Sequence, residues 1–131
     1  MTLIDKSSFA AIGHARIDAD HEEFIALVNQ LHTASNAEFP ALFEQLQQHT
    51  TAHFERESQL MQQFAYPGAG EHNSEHQRVL HEFKQFKTQV DKGMLAFGRA
   101  FVRERLPQWF ALHVSMMDTA LVVFLNAQPK A

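Results

Sequence analysis

Histidine and carboxylate side chains at helical spacings are the residues of this sequence best suited to chemistry. Seven of them fall into four groups along the chain, each on or beside the apolar stripe of a predicted helix. They are His21, His53, Glu57, His72, His76, His113 and Asp118. A polar side chain that faces a protein core destabilises the fold unless it is paired or coordinated. We therefore interpret the five imidazoles and two carboxylates as ligands of a metal site.

The spacing within two of these groups places both side chains on one face of a helix. His53 and Glu57 are four residues apart, and so are His72 and His76; residues at that separation are neighbours on a helix surface. One such pair is weak support, because nine histidines in 131 residues give roughly 0.6 pairs of this spacing by chance. The specific signal is the occurrence of all four groups together.

Apolar residues recur with helical periodicity in four segments, and no alternating strand pattern occurs. Turn residues separate the segments, including Pro40 and the Tyr-Pro-Gly run at 66–68. We predict an all-α, antiparallel up-down-up-down four-helix bundle, with Asp18 or Asp20 as the N-cap of the first helix. The predicted ranges are a single domain 1–131, an irregular N-terminal arm 1–16, a bundle 17–127, and helices over 18–34, 40–65, 71–91 and up to Asn126.

The last helix leaves two questions open at the sequence level. Pro107 removes a backbone donor and clashes with the preceding turn, so the helix either kinks there or begins near Leu106 after a short separate piece. Asp118 lies five residues after His113, on the flank of the apolar stripe. Helical periodicity alone therefore does not select Asp118.

Composition excludes several classes of protein. The sequence is 45% hydrophobic with 12 Phe, which favours a folded core. Its net charge of −4 argues against nucleic acid as a partner. Without cysteine there are no disulfides, thiolate metal sites or thiol nucleophiles. No signal peptide and no stretch suited to spanning a membrane is evident, so we expect a cytoplasmic protein without a membrane partner.

Four segments that contain the seven residues resemble the hemerythrins, most closely the single-domain bacterial type. The resemblance covers nearly the whole chain after the arm, and it rests on DADHEEF (18–24), HFERESQLM (53–61), HNSEH (72–76) and WFALHVSMMD (109–118). It implies two iron ions in an oxo- or hydroxo-bridged diiron centre. His72, His76 and His113 would bind one iron, His21 and His53 the other. Glu57 and Asp118 would bridge the two.

Coordination arithmetic then predicts an open position. Two octahedral irons offer about twelve coordination positions. Five histidines fill five, two bridging carboxylates fill four, and a bridging oxygen fills two. The remaining position lies on the iron with two histidines, where dioxygen or a small anion such as azide would bind. The predicted wall of this ligand pocket is Phe24, Trp109, Phe110 and Val114; at Phe24 and Phe110 the family often has Leu.

The resemblance favours reversible dioxygen binding, in storage, delivery or scavenging, and no catalytic residue is assigned. One alternative is a diiron enzyme that acts on peroxide or nitric oxide, but no general acid stands beside the ligands. Another is a sensor of dioxygen or redox state, which would need a separate protein partner. Zinc fits less well, because it usually takes four ligands.

Overall fold

The computed structural model describes residues 3–5 and 11–129, and four helices account for most of that part of the chain. They are α1 (Ala15–Thr33), α2 (Phe39–Gln63), α3 (Ala69–Asp91) and α4 (Leu95–Asn126). Short connections join them, each helix packs on the next, and α4 packs back on α1. The prediction of an all-α bundle is confirmed. Residues 1–2 and 6–10 of the predicted arm lie outside the described residues, so the division into arm and bundle stays a prediction.

The N-terminus of α1 is capped differently from the prediction. The helix begins at Ala15, and the His14 ring accepts a hydrogen bond from the Ile17 N–H at 3.3 Å. Asp18, in the first turn, accepts from three backbone N–H groups that precede the helix. Neither predicted residue is the N-cap, and Asp20 is buried inside the bundle.

A π-helical segment carries α4 past its proline. The chain stays helical from Leu95 to Asn126, and the segment Phe101–Arg105 has π geometry, with the Leu106 N–H donating to the carbonyl of Phe101. Pro107 follows this wider turn, which suits a residue that has no N–H to donate. The alternative of a separate helix that begins near Leu106 is therefore wrong.

A second π-helical segment, Val114–Asp118, shifts the buried face of α4 by one residue. The Thr119 N–H donates to the carbonyl of Val114, five residues back. Regular α-helical periodicity counted on from His113 predicts Met116 or Met117, Ala120 and Phe124 on the buried face. The structure instead buries Asp118, Leu121 and Val122, and leaves Met116 70% exposed. The extra residue in the π turn is the reason for the difference.

By length and composition alone, α4 is long and apolar enough to cross a membrane. The expectation that no stretch of the sequence is suited to spanning a membrane is therefore wrong by this criterion. One 18-residue window within its 32 residues has a mean hydropathy of 1.4, and 39% of that window is buried inside the bundle. A core helix of a bundle meets the same test. The packing of α4 against α1 and α3 and its buried His113 and Asp118 match such a core helix.

The polar residues lie between two apolar clusters of the core. The larger cluster contains Phe24, Phe54 and Val114, and the smaller one contains Ile17, Met61 and Leu121. Between members of the two clusters lie His21 on α1, Glu57 on α2 and Asp118 on α4. The apolar clusters thus flank the polar layer, whose seven candidate ligands are all buried.

Candidate metal centre

All seven candidate ligands converge in the middle of the bundle, and each is at most 7% exposed. They form two clusters, and the ligand atoms of each cluster lie within 4.8 Å of one another. The first consists of His72, His76, His113, Glu57 and Asp118, and the second of His21, His53, Glu57 and Asp118. The two carboxylates belong to both clusters.

Each oxygen of Glu57 faces a different cluster. Its Oε1 lies 2.9 Å from the Nε2 of His72 and 3.5 Å from the Nε2 of His76. Its Oε2 lies 2.8 Å from the Nε2 of His53. His53 and Glu57 are one helical turn apart on α2, and that spacing aims both side chains into the same space.

Asp118 has the same arrangement from the opposite side of the bundle. Its Oδ1 lies 3.1 Å from the Nε2 of both His72 and His113. Its Oδ2 lies 2.9 Å from the Nε2 of His21. The π segment that contains Asp118 lets this side chain and His113 point inward together despite their five-residue spacing.

Several buried polar atoms in these clusters have no hydrogen-bond partner among the residues that the structure describes. They are both oxygens of Glu57, both ring nitrogens of His72, the Nδ1 of His76 and of His113, and the Oδ1 of Asp118. The Nε2 atoms of His76 and His113 also lie 3.0 Å apart, aimed at the same region. Buried polar atoms without partners are costly. Two metal ions would satisfy the inward-facing ones, and the donor set of imidazole nitrogens and carboxylate oxygens suits iron.

The carboxylates control the protonation of these histidines when no metal is bound. Burial acts to lower the pKa of His53 and of His72, but neighbouring carboxylates outweigh it and raise each pKa to about 9. Burial, together with the positive charge of neighbouring His113 and His72, lowers the pKa of His76. Burial acts to raise the pKa of Asp118, but the neighbouring imidazoles of His113, His21 and His72 hold it well below the usual value.

Metal loading should therefore release protons. Below pH 9, His53 and His72 of the metal-free protein hold protons that a metal must displace. We expect iron binding to tighten as pH rises towards about 9, and then to level off. Titration of metal-free protein with ferrous iron in weakly buffered indicator dye measures the protons released. Equal proton release at pH 7 and pH 9.5 would contradict the prediction.

Aromatic rings stack on two of the candidate ligand imidazoles. Phe54 stacks on His76 with ring centroids 3.7 Å apart, and Trp109 stacks on His113 at 4.7 Å. The Trp109 N–H donates to Glu75 at 3.0 Å, so the indole meets its polar requirement away from the clusters. These contacts restrict the rotation of ligand rings on α3 and α4.

A small cavity of about 10 Å³ adjoins the His21 and His53 cluster. A volume of that size is about the minimum that holds one water molecule. Phe24 and Phe110 form one side of it, with their rings stacked at 4.6 Å, and Trp109 also lines it. Val114, predicted as part of the same wall, is buried but does not line this cavity, whereas Thr50 and Phe54 do.

Sequence reasoning missed Asp20 as a participant in the site. Its carboxylate is 2% exposed and accepts a hydrogen bond from the Nδ1 of His53 at 2.9 Å. The available signal was helical periodicity, because Asp20 lies four residues before Phe24 on the inward face of α1. The nearby acidic residues Glu22 and Glu23 are exposed.

The fold and the paired clusters define a class: four-helix bundles whose core holds a two-metal site of histidines and carboxylates. The family described as "Hemerythrin HHE cation binding domain" matches residues 13–125. The chain belongs to the hemerythrin family. The buried clusters are able to hold the diiron centre expected for this family.

Individual relatives agree with this assignment. The chain is 34% identical over 125 residues to a protein named bacteriohemerythrin from Ralstonia nicotianae, a match that covers 95% of this chain and 90% of that protein. A crystal structure of wild-type hemerythrin is similar at a TM-score of 0.83 and 21% identity, covering 97% of this chain and 98% of that one. A crystal structure of a hemerythrin point mutant has a TM-score of 0.85 at 21% identity, covering 97% and 100%. At these identities, the solved structures support the fold.

Proposed function

We propose that this protein binds dioxygen reversibly at a diiron centre. His72, His76 and His113 would hold one iron, and His21 and His53 the other. Glu57 and Asp118 would bridge them, and the open coordination position would belong to the iron with two histidines. When bound, the two irons supply two electrons to dioxygen and recover them when it leaves.

The observation that carries the proposal is the division of the carboxylate oxygens. Glu57 and Asp118 each present one oxygen to the three-histidine cluster and the other to the two-histidine cluster. A pair of bridging carboxylates between unequal histidine sets leaves one metal with a free position. Both histidines of that cluster, His21 and His53, line the small cavity, and His113 is the one histidine of the other cluster that does so among the described residues.

The protein's own contribution is to bind the ligand in an apolar space and to limit water and protons there. Apart from candidate ligands, the cavity lining is aromatic except for Thr50. The Thr50 hydroxyl donates to the carbonyl of Leu46 at 2.8 Å, so its proton is already engaged. An apolar, water-poor space favours release of dioxygen over its further reduction.

The apolar lining of the small cavity also weighs against the alternative of a diiron enzyme. Reduction of peroxide or nitric oxide consumes protons, and a general acid must lie within hydrogen-bond reach of the reacting group. Within the described residues, the nearby Glu22, Glu23 and Glu55 are exposed. We therefore assign no catalytic residue.

The proposal is tested by anaerobic reduction of the iron-loaded protein followed by exposure to air and then to argon. Metal analysis should give two irons per chain. The optical spectrum should change on exposure to dioxygen and revert under argon over repeated cycles. A single metal per chain would refute the diiron centre. Direct conversion to a stable ferric spectrum, without reversal, would refute reversible binding.

Phe24 and Phe110 should control the rate of ligand binding. Their stacked rings leave little free volume beside the second cluster, and Phe110 also packs edge-on against His21 at 5.4 Å. Replacing either residue by Leu should widen the cavity and speed azide binding roughly tenfold, equivalent to about 1.4 kcal/mol in the barrier. Stopped-flow mixing of the ferric protein with azide measures this rate. Autoxidation should also be faster, because water reaches the site more easily.

The matched control for these variants is Phe101→Leu. Phe101 is as buried as Phe110, at 3% exposed, but packs with Phe43, Phe83 and Phe86 away from the clusters. It should lose stability without a change in azide rate. Wild-type rates in both Phe24→Leu and Phe110→Leu would show that ligands reach the site by another route.

A further inference from the structure

The surroundings of the two histidine clusters differ in one respect. The Nδ1 atoms of His72, His76 and His113 have no hydrogen-bond partner in the described part of the chain. The Nδ1 of His53, in contrast, lies 2.9 Å from an oxygen of the buried Asp20. The Asp20 carboxylate is therefore bonded to a histidine of the cluster that would hold the iron with the open coordination position.

The Asp20 carboxylate is itself fixed by an arginine. The Nε of Arg56 donates to its Oδ2 at 3.1 Å, and the Nη2 donates to its Oδ1 at 2.7 Å. Such two-point contact sets the orientation of a carboxylate as well as compensating its charge. Arg16 adds a looser contact at 3.6 Å and is 59% exposed.

We propose that Asp20 is a positioning residue that tunes the iron held by His21 and His53. Its hydrogen bond keeps the proton of His53 on Nδ1, so that Nε2, which faces Glu57 at 2.8 Å, is the ligand atom. A carboxylate bonded to the far side of a ligating imidazole makes that imidazole a stronger donor. The iron with the open position thereby becomes the one whose ferric state is more strongly stabilised.

Arg56 moderates this effect. Its positive guanidinium partly neutralises the Asp20 carboxylate. This weakens the hydrogen bond that the carboxylate accepts from the Nδ1–H of His53. Removal of Asp20 and removal of Arg56 should therefore shift the site in opposite directions. A loss of packing or order at this corner of the bundle would affect both variants alike.

The inference rests on the proposed diiron centre and is tested on iron-loaded full-length protein. The variants are Asp20→Asn, Asp20→Glu, Arg56→Gln and the control Glu22→Gln, which removes an exposed charge two residues away. Metal analysis comes first. The midpoint potential is then measured by spectroelectrochemistry, and the azide charge-transfer band reports on the iron with the open position.

Asp20→Asn should keep two irons and raise the potential. A tenfold weaker preference for ferric over ferrous iron corresponds to about 59 mV for a one-electron step, and outer-sphere partners of this kind typically change metal affinity about 10–100-fold. The azide band should move to lower energy. Arg56→Gln should lower the midpoint potential. Asp20→Glu should have a potential between those of Asp20→Asn and the wild type, and Glu22→Gln should match the wild type.

Three results would overturn the role of Asp20: an unchanged potential in Asp20→Asn with two irons bound, shifts of the same sign in Asp20→Asn and Arg56→Gln, or an equal shift in Glu22→Gln. If Asp20→Asn loses iron, the sign of the shift in Arg56→Gln decides. Failure of the wild type to bind two irons would instead overturn the proposed centre itself.

Discussion

Alanine at Asp118 or at Glu57 should cost the protein more iron than alanine at any single histidine. Each carboxylate presents oxygens to both clusters, so its removal weakens both metal sites and removes a negative charge from between them. Each histidine serves one cluster. Because even the outer partners of metal ligands change affinity about 10–100-fold, we expect iron binding to weaken at least about 100-fold in either variant. Iron content after equilibration with a competing chelator measures this.

Matched controls lie close by on the same helices. Glu55→Ala removes an exposed carboxylate two residues before Glu57, and His81→Ala removes an exposed histidine of α3. Both should retain wild-type iron content and spectrum. Full iron content in Asp118→Ala would show that Asp118 does not bridge the metals, and would leave Glu57 as the shared ligand.

The π segment of α4 is a feature that helical periodicity in the sequence does not predict. Periodicity finds His113 on the inward face, but it places Met116 or Met117 next on the stripe, and Asp118 only on its flank. Five-residue hydrogen bonding in the π segment brings Asp118 inward and turns Met116 out to 70% exposure. Helical periodicity assumes a constant 3.6 residues per turn, so it misplaces residues that follow a wider turn. The family resemblance supplied Asp118 where periodicity did not.

The surroundings of His53 show a second limit. His53 and Glu57 can be selected from their four-residue spacing within α2. Asp20 is on α1, and its hydrogen bonds to Arg56 and His53 join residues more than 30 positions apart. A buried carboxylate with distant partners looks in sequence like an ordinary helix-capping Asp. Periodicity can place Asp20 on the inward face of α1, but its partners are identified only when packing brings the helices together.

Removal of iron should lower the melting temperature of the bundle by about 10 °C or more. Without metal, several buried ring nitrogens and carboxylate oxygens of the two clusters have no hydrogen-bond partner among the described residues. Metal at a thousandfold excess over its Kd stabilises the native state by about 4 kcal/mol. In a domain of this size, each 1 kcal/mol shifts the melting temperature by roughly 3 °C. Melting curves of the same protein before and after chelation measure the difference.

The difference in melting temperature between the iron-loaded and metal-free protein should also depend on pH. The two histidines of raised pKa determine its direction. In the metal-free protein, His53 and His72 have a pKa of about 9 against an ordinary value of 6.5. Their protonated forms therefore stabilise the metal-free fold fully below about pH 6.5, and this contribution is lost as pH rises through about 9. Metal binding tightens over the same range, because fewer protons must be displaced. The melting temperatures of the two forms should diverge from pH 6.5 to pH 9. Curves that coincide throughout would mean that these side chains reach solvent when the metal is absent, and would contradict the prediction.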